Sequence, residues 1–76
     1  NMLMADEYFD GDEVQALLQQ AIASLPEVQR QVFCLRYYDD MKYSEMSTLL
    51  GTSQGALKAS YHLAVKKIQD FFNHND

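Results

Sequence analysis

Apolar side chains recur at three- and four-residue spacing through most of this chain, and each run is closed by residues that stop a helix. Val14, Leu17, Leu18, Ala21, Ile22 and Leu25 form the first stripe, the pattern of an amphipathic helix with one buried side. Such a helix is expected to start near Asp12 or Glu13, where acids complement the positive end of the helix dipole. Ser24-Leu25-Pro26-Glu27 ends it and begins the next. Pro26 disfavours helical geometry at Leu25 but suits a first helical position, and Glu27 adds a favourable first-turn charge. The second helix, to about Tyr38, is expected to bury Val28, Val32, Phe33 and Leu35, with Cys34 a small core residue. Arg30 and Arg36 face outward or pair with acids. Asp39-Asp40 stops this helix, because acids are unfavourable at a helix C-terminus and suit a turn.

A short third helix is predicted over Tyr43 to Leu50, with Met46, Leu49 and Leu50 as its apolar positions. Ser44 can cap it, whereas Lys42 stands where a capping box ahead of Glu45 would want Ser or Thr. Gly51 follows, a residue that accepts positive φ without a Cβ clash. Ser53 then offers a hydroxyl to an orphan amide of the next helix, which should run from Gln54 to about Phe72. At 100° per residue, Leu57, Tyr61, Ala64, Ile68 and Phe71 fall on one side of that helix and read as core. Gln54, Lys58, His62, Val65, Lys66 and Gln69 fall on another and read as an exposed face. Helix, glycine turn and capped helix is the grammar of a helix-turn-helix, whose second helix can enter a DNA groove. The predicted fold is all-α: a small four-helix domain over 12–72, unrelated to winged-helix folds, with an acidic linker over 1–11 and a polar tail over 73–76.

Composition narrows the function classes. Seventy-six residues make one domain that buries only about 60% of its unfolded surface. That leaves no substrate cavity of ordinary enzyme size. No nucleophile–base pair, phosphate loop or metal-ligand spacing is visible, so no enzyme, metal, cofactor or small-molecule substrate is expected. A single cysteine, Cys34, fits a reducing cytoplasm. No run approaches the roughly 18 apolar residues of a membrane span, and no secretory signal is seen at the N-terminus. The opening Asn1-Met2 reads as the start of a tagged piece of something longer.

Charge at first opposes a nucleic-acid partner: the formal net charge is −5, and such proteins do not coat phosphate indiscriminately. Its distribution changes the picture. Nine acids and three bases precede Met46, whereas two acids and three bases follow from it onward. Between Met46 and Gln69 there is no acid, and Lys58, Lys66 and Lys67 stand alone. A domain so polarised would bind DNA weakly unaided and needs another component to bring it there.

Leu25-Pro26-Glu27, Gln29-Arg30, Val32-Phe33, Leu35-Arg36-Tyr37, Tyr43, Glu45-Met46, Leu49 to Ser53, Gly55, Leu57-Lys58 and Ala64 to Ile68 together resemble region 4 of the sigma-70 family. The likeness is to its extracytoplasmic-function branch and covers about 14–72. It implies recognition of the promoter minus-thirty-five element in double-stranded DNA and attachment to the β flap of RNA polymerase. An anti-sigma factor is a further implied partner, and the companion region 2 lies elsewhere. Carried over by position, the resemblance makes Ser53, Gln54, Gly55, Lys58 and His62 face DNA; Lys66 joins them by periodicity. Ser47 stands where relatives usually carry Ala, and Ser60 and Leu63 stand where they often carry Arg, with Tyr61-His62 between them. Loss of arginines at the latter positions implies fewer phosphate contacts and more reliance on polymerase, and Leu63 leaves an apolar spot that a protein could cover.

Gln54 suits a bidentate contact with adenine and Lys58 one with guanine or phosphate. Their bland alternative is an ordinary solvated helix surface. Amides opened by Ser53 and Gly55 can hold a backbone phosphate, without sequence information. His62 can donate to phosphate or base. Tyr37-Tyr38 and Phe71-Phe72 could stack on bases, but aromatics at helical spacing in a small domain favour core roles. Two alternatives stand beside promoter recognition: a region 4 used mainly to bind an anti-sigma factor, and a response-regulator type of helix-turn-helix, which shares a four-helix pattern.

Overall fold

The computed structural model describes residues 11–74. Residues 1–10 of the expected acidic stretch and residues 75 and 76 of the expected tail lie outside it, whereas Asn73 ends the last helix and His74 caps it. Four helices follow one another: α1 Gly11–Ala23, α2 Glu27–Tyr37, α3 Tyr43–Leu50 and α4 Gln54–Asn73. Among the described residues there is no strand, and no helix is long and apolar enough to cross a membrane.

The long α4 is the shared wall, packing against each of the other three helices. Its apolar side meets two clusters. Ala21, Ile22, Leu25, Phe33, Ala64 and Ile68 join α1, α2 and α4. Val32, Met46 and Leu57 join α2, α3 and α4, and these three are the largest fully buried side chains. The first cluster fixes the body; the second fixes the helix pair α3–α4 upon it.

The connections are short and tied by hydrogen bonds. Ser24 donates from its amide to Gln20 and from its hydroxyl to the Ala21 carbonyl at 2.6 Å. Pro26 sits one position earlier than expected, as the N-cap of α2 at φ −56° and ψ 152°. Its fixed φ and extended ψ turn the chain while Glu27 begins the helix. After α2, Asp40 adopts φ 52°, a left-handed conformation that Asp tolerates better than most residues. Arg36 ties this turn down by donating to the Met41 carbonyl at 3.0 Å.

Several side chains stand where periodicity did not put them. Val28, expected in the core, is 57% exposed. On α2 the core direction lies between Val32 and Phe33; Gln29 occupies it one turn earlier and Val28 falls to the flank. Leu49 is 62% exposed: Met46 is the buried residue of α3, and Tyr43 and Leu50 flank it against the same cluster. Tyr37 and Tyr38 are exposed rather than core. Tyr37 nonetheless stacks on Phe33 at 5.0 Å, and the Tyr38 hydroxyl accepts from Gln19 Nε2 at 3.0 Å. Val65, assigned to the exposed face, is half-buried against the first cluster. It lies at the border of the α4 core stripe, and α4 is wrapped more widely there than at its start. Cys34 is half-buried, between core and surface.

Candidate nucleic-acid interface

The turn between α3 and α4 is built as its residues require. Gly51 caps α3 at φ 67° and ψ 31°, and its amide donates to the Ser47 carbonyl at 2.9 Å. Thr52 Oγ1 donates back to the Leu50 carbonyl at 3.4 Å. Ser53 then caps α4, its Oγ accepting from the Ala56 amide at 3.2 Å. At the other end of α3 the Lys42 backbone amide donates to Glu45 Oε1 at 3.2 Å. That is half of a capping box, and it works because the carboxylate half is indifferent to the side chain at the cap.

Every residue assigned to the DNA side is exposed: Ser53, Gln54, Gly55, Lys58, His62 and Lys66. Lys58, His62 and Lys66 follow at four-residue intervals and form one stripe along α4, flanked by Gln69. Gln54 and Gly55 lie in the first turn, beyond the part of α4 that the other helices cover. A Cβ built on Gly55 meets nothing within 4 Å. The domain itself therefore has no steric need for glycine there, although glycine weakens a helix. Its smallness leaves room for something outside the domain.

Between Met46 and Gln69 the surface of α4 carries no acid, and Asp70 follows one turn beyond Lys66 in the same four-residue series. The described ion pair, Arg36 with Asp40 at 3.9 Å, lies on the α2–α3 turn, and no acid from the 46–69 segment can cancel the lysines. Lys58 Nζ stands 5.7 Å from the centre of the Tyr43 ring, and Arg36 Cζ stands 5.1 Å from the same ring. Sequence spacing could not reveal this meeting, because Arg36, Tyr43 and Lys58 belong to three helices. Among the described residues no group of three His, Cys, Asp or Glu side chains could hold a metal.

A second feature lies on the flank of α2. Arg30, Gln31, Cys34 and Leu35 with Leu50 of α3 line an open, mainly apolar groove of about 430 Å³. Val28, outside the groove lining, lies one turn before Gln31 and two before Leu35 on the same side of α2. Periodicity hid this groove by treating every apolar residue of α2 as core.

Residues 15–68 match the family described as Sigma-70, region 4. The chain belongs to this family. The match takes in α2, α3, the Gly51 turn and α4 as far as Ile68, and so includes the whole exposed stripe. Region 4 is a sigma-factor DNA-binding domain of the helix-turn-helix type, which separates this chain from the response-regulator type. The region 4 chain is also similar to an RNA polymerase sigma-E factor of Streptomyces antibioticus, with 34% identity over 56 residues. That alignment covers 74% of this chain and 31% of the relative, so the chain spans about a third of the length of the protein it resembles.

Proposed function

We propose that this region 4 domain recognises the minus-thirty-five element of promoters, inserting α4 into the major groove, as part of an extracytoplasmic-function sigma factor working in the cytoplasm. The observation that carries this is the acid-free stripe of Lys58, His62 and Lys66 on the helix that the Gly51 turn and Ser53 cap project outward. Gln54 and Lys58 reach base edges, Ser53 and the first amides of α4 hold a phosphate, and Gly55 admits the DNA backbone. Three lysines on an otherwise acidic domain give modest affinity. The slope of log affinity against log salt is then no steeper than about −3.

Weak DNA affinity makes a protein anchor necessary, and the groove between α2 and the end of α3 suits the β flap of RNA polymerase. Its apolar floor and single cation, Arg30, accept an amphipathic segment with an acidic edge. In the presence of polymerase, promoter duplexes should bind more tightly than scrambled duplexes at moderate salt. Equal affinity for both would overturn the assignment.

Leu63 supports a second partner. It is 50% exposed and lies about 100° around α4 from His62. An anti-sigma factor seated there would sequester α4. Leu63→Glu should abolish capture by an inhibitory domain while sparing promoter binding; unchanged capture would remove Leu63 from that role.

A further inference from the structure

We propose that Tyr43 is a positioning residue for DNA binding, its ring holding the Lys58 ammonium at the α3–α4 junction. The inference rests on the reading of α4 as the DNA face.

Tyr43 is well placed to act as a fixed platform. It is the first residue of α3 and packs, partly buried, against the Val32, Met46 and Leu57 cluster. Arg36 reaches the same ring from the last turn of α2, and Arg36 is itself held by the Met41 carbonyl and Asp40. The ring is thus secured by the core and by an anchored guanidinium. Lys58 is the exposed member of the set.

An aromatic ring does something for Lys58 that a carboxylate cannot. A free lysine side chain samples many rotamers, and a phosphate or base contact would otherwise have to order it in full. A carboxylate partner would order the side chain but cancel its charge. A ring face orders it through the quadrupole and leaves the charge and outward N–H donors available. On a domain with so few cations, orientation without neutralisation is the arrangement that DNA binding requires. Tyr43 therefore contributes to affinity only through Lys58.

A double-mutant cycle tests this, using a short duplex selected by the full chain from a randomised pool. Tyr43→Leu keeps apolar volume in the cluster; Lys58→Met keeps length without charge. Tyr43→Leu should weaken binding about threefold when Lys58 is present and leave it unchanged in the Lys58→Met background. Its salt slope should match the parent, because no charge is lost, whereas Lys58→Met should flatten the slope by about 0.9. Tyr43→Phe should bind like the parent. In the free protein, the ring-current shift of the Lys58 ε-methylene protons should survive Tyr43→Phe and vanish in Tyr43→Leu. Thermal unfolding of each variant separates loss of binding from loss of fold. If Tyr43→Leu weakens binding equally in both Lys58 backgrounds, or Tyr43→Phe also weakens it, the positioning role is overturned while the DNA face stands. If Lys58→Met changes neither affinity nor slope, the DNA-face reading itself fails and this inference with it.

Discussion

Phe33 of α2 and Tyr61 of α4 stack at 5.7 Å between ring centres with 14° between their planes, and this pair is where the two core clusters join. Phe33 belongs to the α1–α2–α4 cluster, and Tyr61 packs against both clusters. Tyr61 therefore links the body of the domain to the helix pair that faces DNA. Its truncation removes contacts from both at once. Tyr61→Ala should cost about 2 kcal/mol, since the ring is half-buried and its loss opens a cavity at the junction. Tyr61→Phe should stay within about 0.5 kcal/mol. Chemical denaturation checks both, and a fully stable Tyr61→Ala would show that the clusters are held together by other contacts.

The turn gives a second expectation. Gly51 adopts φ 67° with open space around the position of a Cβ, so any penalty for a side chain there is backbone strain alone. Gly51→Ala should destabilise by about 1 kcal/mol, and Gly51→Asn by less, because Asn tolerates the left-handed region. Equal losses for the two would mean that the space is filled in solution.

Gly55 behaves in the opposite way. It is helical, and nothing in the domain meets its missing side chain. Gly55→Ala should stabilise the isolated domain by about 0.5 kcal/mol by restricting the unfolded chain. The same substitution should weaken binding to a promoter duplex if α4 approaches the backbone closely at its first turn. A variant that is more stable and binds as well as the parent would show that α4 docks by another part of its length. Gains in stability with losses in function are the mark of a residue kept for a partner.

Much of this fold was legible in the chain because its signals agree locally. Pro26 and Gly51 divide the helices, Ser53 opens α4, and the stripe from Leu57 to Ile68 has a helical period. The exposure of the Lys58, His62 and Lys66 stripe was legible for the same reason: the side of α4 opposite an apolar stripe must be exposed. What periodicity could not supply was the width of burial, which depends on what packs above each turn. Val28 and Leu49 share a period with buried residues but have no helix over them among the described residues, and Val65 lies off the stripe but is half-buried. Tyr43 was legible as the start of a helix and as one of the residues that carry the family likeness. Its role with Lys58 depends on two helices meeting at their ends, a relationship that no single-helix period encodes.

The exposure of Val28 leads to the last expectation, which separates the two partners of the domain. Val28 lies on the groove flank of α2, away from α4's exposed stripe, and its side chain contributes little to the core. Val28→Glu places an acid beside an apolar groove whose cation, Arg30, already donates to the Leu25 carbonyl at 3.4 Å. Stability should change by less than about 0.5 kcal/mol, as for other surface substitutions. Binding to an isolated β-flap segment should weaken about tenfold through desolvation of the new charge and repulsion of an acidic partner. Direct binding to a duplex, measured without polymerase, should stay the same, whereas promoter occupancy in its presence should fall. If Val28→Glu instead reduced duplex binding alone, the α2 flank would belong to the DNA surface, and the polymerase contact would have to lie elsewhere on the domain.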